Sequence, residues 1–220
     1  LAKIPASMLK KNLFWASSIA QGRDYAGWQW NDGAVYFERV GKNLVLMEAD
    51  SRYTKGKGSP LGHAIERTYT DAIIRSIPIA TLSGSDPVID LADLIKTDLV
   101  GIGQLYGGRI DGGLSRYGKV RNFPKNTELA VDLALMGQGG GQYVTVHYSI
   151  SELPENNGYT PREADPRIGY FLTAQKDWTA DRDAKTLFKR YINRWQLRKA
   201  RPDQEVSDVL PEDQIVFYIE

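Results

Sequence analysis

Two histidines, His63 and His147, are the side chains best suited here to hold zinc or to move a proton near neutral pH. A catalytic zinc takes three protein ligands and keeps one position open, and two of those ligands are commonly histidines one helical turn apart. Neither histidine starts the His-Glu-x-x-His motif that supplies them. His63-Ala-Ile-Glu66 has the spacing of the inverted motif His-x-x-Glu-His, but Arg67 stands where the second histidine belongs, so a polar residue beside a loop accounts for it. His147 lies between Val146 and Tyr148 on the polar phase of an expected strand, facing solvent or bonded across to a neighbouring strand. Cysteine is absent, which excludes disulfides, thiolate ligands and thiol nucleophiles. The expectation is therefore no catalytic, cofactor-binding or metal-binding residue in this chain.

Other stretches imitate motifs without their context. Gly101-Ile-Gly-Gln-Leu-Tyr-Gly107 is spaced like a dinucleotide loop, yet Gly108, Gly112 and Gly113 follow and would break the helix whose N-terminus must face the phosphate. Gly137-Gln-Gly-Gly-Gly141 lacks the Lys-Ser/Thr ending of a P-loop and suits a hairpin turn. Ser7-Met-Leu-Lys10 has the Ser-x-x-Lys spacing without its partner motifs, and Gly113-Leu-Ser-Arg-Tyr-Gly118 is one residue too long for a nucleophile elbow. Asp177, Asp181 and Asp183 share a loop but lack the glycine and terminal glutamate of a calcium loop, and Glu152 and Glu155 form a carboxylate pair only if the fold makes them face each other. Lys189-Arg-Tyr-Ile-Asn-Arg-Trp-Gln-Leu-Arg-Lys-Ala-Arg201 mixes cations with Tyr191 and Trp195, as single-stranded nucleic-acid binders do. Read as a strand it puts Tyr191, Asn193, Trp195 and Leu197 on one face and Arg190, Arg194 and Arg198 on the other, and a helix fits equally well.

The elements that position these residues read mostly as strands. Residues 12–54 alternate apolar runs with turn residues, with a tight turn at Gly41-Lys-Asn43, and Trp28 and Trp30 at period two can share one face. Residues 54–62 read as a mobile loop and 63–80 as helix or strand. Val88-Ile-Asp90 runs into a helical turn at Leu91-Ala-Asp-Leu-Ile95, and residues 101–118, with seven glycines, read as a long connection. Residues 127–136 and 142–151 alternate cleanly and form the clearest hairpin, while 168–172, 186–197 and 215–219 complete a strand-rich C-terminal half. The fold class expected is α+β, predominantly antiparallel β-sheet with a few short helices, as a single domain over residues 1–220.

The 28 Lys and Arg nearly cancel the 27 Asp and Glu, so no overall field points to nucleic acid or membrane, and no apolar run is long enough for a spanning helix. The start at Leu1, without a leader sequence, reads as a mature or excised segment.

Several stretches carry a resemblance. His147-Tyr-Ser-Ile-Ser-Glu-Leu-Pro154, Asp165-Pro-Arg-Ile-Gly-Tyr-Phe171 and Phe123-Pro-Lys-Asn-Thr-Glu128 resemble segments of an uncharacterised domain that precedes the zincin-type catalytic domain in large bacterial zinc-dependent metalloproteases. Arg194-Trp-Gln-Leu-Arg198, residues 211–218, Phe37-Glu-Arg-Val40 and Val88-Ile-Asp-Leu-Ala-Asp-Leu94 are similar too. The resemblance implies a non-catalytic or pro-segment-like part of an exported bacterial metallopeptidase. Its partners would be the downstream catalytic domain, which would hold the zinc, and the parent enzyme's peptide or protein substrate. An alternative of another class is a stand-alone β-rich module for polysaccharide or peptide, with Trp15, Trp28 and Trp30 as its platform. Within the resembling stretch, Asp165, Arg167 and Gly169 suit a structural turn.

Overall fold

The computed structural model describes residues 1–50, 53–54, 60–137, 140–153, 160, 162–165, 167, 172–177, 188–192, 195–197 and 217–219. The chain starts with β1 (Ala2–Lys3), a 3-10 turn (Ala6–Met8), β2 (Leu13–Gln21), β3 (Gln29–Val40) and β4 (Asn43–Glu48). Next come β5 (Tyr53–Thr54), α1 (Pro60–Thr68), β6 (Ala72–Ser83) and β7 (Asp86–Ile89). Two one-turn helices, α2 (Ala92–Ile95) and α3 (Ile102–Leu105), precede β8 (Arg109–Asn122), β9 (Asn126–Gly137) and β10 (Gly140–Glu152). β11 (Leu172–Asp177), β12 (Phe188–Ile192), β13 (Trp195–Leu197) and β14 (Phe217–Ile219) follow. The structure is mostly antiparallel β-sheet.

The backbone gathers into two compact units, Leu1–Asp50 with Asp71–Pro154, and Ser51–Thr70 with Glu155–Glu220. The first unit is one nine-stranded sheet in the order β1-β7-β6-β4-β3-β2-β10-β9-β8, antiparallel at every step. Strand alternation sends one set of side chains inward: Leu13, Trp15 and Ile19 from β2, Leu129, Val131, Leu133 and Leu135 from β9, and Val144, Val146 and Tyr148 from β10. Register shifts at Ser17/Ser18, Leu46/Met47, Ile79/Thr81 and Thr145/Val146 add local twist, and the sheet curls into a half-barrel.

The connection from β7 to β8 joins strands near opposite edges of the sheet. It carries Leu94, Ile95 and Ile102 into the core formed by the strands, all at 1% exposure or less. Each such aliphatic side chain contributes roughly 1.5–3 kcal/mol by leaving water. In the second unit β11 pairs antiparallel with β12 and parallel with β5, and β13 pairs separately with β14.

The hairpins from Leu13 to Glu48 and the hairpin at 127–151 stand where alternation puts them, whereas Tyr53–Thr54 pairs with β11 of another sheet. Gly41, at φ 61, closes the two-residue turn between Val40 and Asn43. Two expectations change. Residues 101–118 are not one long connection: α3 occupies Ile102–Leu105 and β8 begins at Arg109, because irregular pairing with β9 tolerates glycines that a regular strand avoids. Pro60, Leu61 and Gly62 open α1 instead of continuing a loop, consistent with the fixed φ of proline suiting a first helical turn; residues 55–59 lie outside the described residues.

Candidate functional site

β9 and β10 bring the resembling stretches together. The hairpin register sets Ser149 opposite Glu128 and His147 opposite Ala130. These residues occupy the face of the sheet away from the apolar core, where alternation predicts exposure, yet Glu128 is buried, at 5%. A carboxylate removed from water needs donors, and Glu128 has them. Asn126 Nδ2 donates to its Oε1 at 2.6 Å and Ser149 Oγ donates to the same oxygen at 2.8 Å. His147 Nε2 stands 2.9 Å from Oε2, its side chain 33% exposed. Four residues along β9 from Glu128, Asp132 Oδ1 accepts from Thr145 Oγ1 at 2.8 Å, and Arg116 of β8 approaches Asp132 at 3.8 Å while stacking 4.0 Å over the ring of Tyr143. A polar ladder therefore runs across β8, β9 and β10.

The chemistry of this cluster is positional. Ser149 donates to the carboxylate and not to the imidazole, so the hydroxyl is not set up as a nucleophile with a histidine base. His147 takes the cross-strand role open to it from its strand phase. Sequence reasoning missed Glu128. Its available signal was the alternation of Asn126 with Glu128 facing that of His147 with Ser149.

The remaining candidates disperse. His63 lies on α1 in the other unit, its Nδ1 3.7 Å from Glu66 Oε2 on an open surface. Among the described residues no three His, Asp or Glu side chains gather as metal ligands. Among the described residues, each histidine stands beside one carboxylate of its own unit, Glu66 for His63 and Glu128 for His147. Lys10 of the Ser-x-x-Lys spacing pairs with Glu38 at 2.7 Å, and Ser7 sits in the 3-10 turn. Ser115, the serine of the elbow-like stretch, is buried at 3% inside β8, donating to the Asp111 carbonyl at 2.7 Å and accepting from Ala134 N–H at 3.0 Å. Gly101, at φ 74, precedes only the single turn of α3, so no long helix faces a phosphate there.

Glu152 ends β10, while Glu155, Asp181, Asp183, Gly169, Arg194 and Arg198 lie outside the described residues. The basic segment is neither one strand nor one helix: β12 and β13 belong to different sheets. Asp165 accepts the backbone N–H of Arg167 at 3.0 Å, the local turn expected there, and the Arg167 side chain holds its carboxyl below the usual range. Of the three tryptophans, Trp15 is in the core at 4% and Trp30 donates its indole N–H to Val100 at 2.7 Å, whereas Trp28 is 57% exposed. They do not form one exposed platform.

No helix among the described residues is long and apolar enough to cross a membrane. No curated protein and no solved structure matches the chain. A family model described as "Domain of unknown function (DUF5117)" matches residues 27–200, most of the chain, which therefore belongs to that family.

Proposed function

We propose that this chain is a non-catalytic accessory or pro-segment-like part of a bacterial, exported zinc metallopeptidase, packing against a downstream catalytic domain that holds the zinc and helping to shape its substrate cleft. One observation carries the reading. Phe123-Pro-Lys-Asn-Thr-Glu128 and His147-Tyr-Ser-Ile150, which resemble the domain preceding zincin catalytic domains, meet on adjacent strands, and their polar side chains are used on one another. A carboxylate enclosed by donors from its own hairpin supports a fixed surface and not an open reaction centre.

The test is twofold. The coding sequence that follows residue 220 in the parent gene is expected to contain His-Glu-x-x-His, and its absence would remove the protease reading. The purified 220-residue chain is expected to leave a fluorogenic peptide library intact, and chelator-sensitive cleavage would assign the chemistry to this chain instead.

A further inference from the structure

We propose that the outer edge of β8 is a docking edge for an extended acidic polypeptide segment, added to the sheet as a further strand, whose residues alternate between carboxylate and apolar side chains. This goes beyond the peptidase-companion reading and does not rest on it.

β8 ends the order of the nine-stranded sheet and pairs on one side with β9, and no described strand lies along its other side. A terminal strand presents a row of backbone N–H and C=O groups, the template on which a peptide strand adds. Basic side chains and bulges also blunt such edges against chance pairing, and β8 has both, with register shifts at Asp111/Arg116 and Tyr117/Val120. Yet Leu114, Tyr117, Val120 and Phe123, in the strand and just after it, are 44–52% exposed. Protection gives no reason to leave four large apolar side chains in water along one edge, whereas a partner that covers them does.

The register says what that partner must carry. Tyr117 and Val120 stand opposite Val131 and Leu129, so they continue the apolar face of the sheet at its rim. Arg116 and Arg121 stand opposite Asp132 and Glu128 on the other face. A strand laid along β8 alternates between the same two faces, so every second residue meets the apolar rim and the residues between meet the arginines. Arg116 approaches Asp132 at 3.8 Å and remains 60% exposed, and a guanidinium has five N–H donors, more than one carboxylate takes up.

Residues 109–125 hold five cations, Arg109, Arg116, Lys119, Arg121 and Lys125, against Asp111 alone, in a chain whose net charge is +1. That sign selects an acidic segment, and it disfavours a second copy, which would set like charges edge to edge. Cations beside Tyr117 and Phe123 also suit single-stranded nucleic acid. A nucleic acid, however, has no amide ladder to pair with a strand edge, so the edge favours a peptide.

The test is fluorescence anisotropy of the 220-residue chain with a labelled, capped heptapeptide that alternates glutamate with valine. Binding is expected at about millimolar or tighter, and the version with lysine in place of glutamate should bind at least about tenfold more weakly. Two further versions carry N-methyl groups, one on the valine amides and one on the glutamate amides. Only one phase of a strand's amides faces its neighbour, so one version should lose at least about tenfold and the other should bind as the parent peptide does. Val120→Glu, which sets a carboxylate beside the incoming strand, should weaken binding by about tenfold. Val120 is half exposed, and circular dichroism checks that its variant folds, while the N-methylated peptides probe the same edge on the unaltered protein. No binding of the glutamate peptide overturns the proposal, as does equal binding of its lysine version, equal binding of the two N-methylated versions, or binding unaffected by a folded Val120→Glu. Tighter binding of a labelled oligothymidylate assigns the edge to nucleic acid and overturns it too. So does sedimentation showing that the chain pairs with itself through an edge that Val120→Glu disrupts.

Discussion

Glu128 is a carboxylate that strand periodicity sends towards solvent and that the fold buries. Its position is stable because Asn126 and Ser149 donate to it and His147 stands 2.9 Å from its other oxygen, and removing one of them leaves part of a buried charge uncompensated. Glu128→Ala and His147→Ala should each lower unfolding free energy by about 1–3 kcal/mol, and the double variant should cost less than their sum. Urea denaturation of the four proteins in the cycle measures this; strict additivity would show that the two side chains do not interact. Tyr36 makes a comparable prediction about pH. Its hydroxyl donates to Asp71 Oδ2 at 2.8 Å, while Asp71 Oδ1 accepts the Asp50 N–H at 2.9 Å. Burial, then Asp71, pushes the Tyr36 phenol up from 10.0 to about 12. A group whose pKa is raised on folding contributes stability below its unfolded value and loses it as pH rises through the folded one. The stability of the native chain should therefore fall between pH 10 and about 12. Tyr36→Phe should show a shallower fall over that window, read from denaturation midpoints; equal slopes would exclude the contribution.

At the scale of elements, the half-barrel depends on more than its strands. α2 and α3 are too short to be stable by themselves, and they hold because Leu94, Ile95 and Ile102 sit in the common core. Leu94→Ala should therefore cost as much as Leu133→Ala from the middle of β9, about 2–5 kcal/mol for each. Thermal or urea unfolding would settle this, and a loss for Leu94 well under 1 kcal/mol would mean that the crossover docks loosely. Strand identity was legible along most of this unit because Leu129, Val131, Leu133 and Leu135 advertise period two. Register was not. Strands that face Met136 with Gln142 would set Glu128 opposite Ile150, but the pairing is Met136 with Gly141, which sets Glu128 opposite Ser149. One residue of slip changes every cross-strand partner, and a glycine-rich turn gives no local rule for choosing. β8 was hidden for a related reason. Its glycines at 112, 113 and 118 look like loop, and only pairing with β9 makes them strand.

At the scale of the whole molecule, the chain joins two units, and the family match at residues 27–200 takes in parts of both. The peptidase-companion proposal belongs at this scale, because it concerns what the parent polypeptide carries beyond these residues. It stands or falls on the downstream His-Glu-x-x-His and on the inertness of the 220-residue chain towards peptides. The amino-acid sequence by itself determined a mostly antiparallel β protein without cysteine chemistry, because strand alternation, turn residues and composition are local properties that neighbours in the chain express on their own. Only the tertiary structure decided that Glu128 meets His147, and that Trp28 rather than Trp15 is exposed. Those outcomes depend on register, on the crossover from β7 to β8 and on the curl of the sheet, which arise from contacts between residues far apart in the chain.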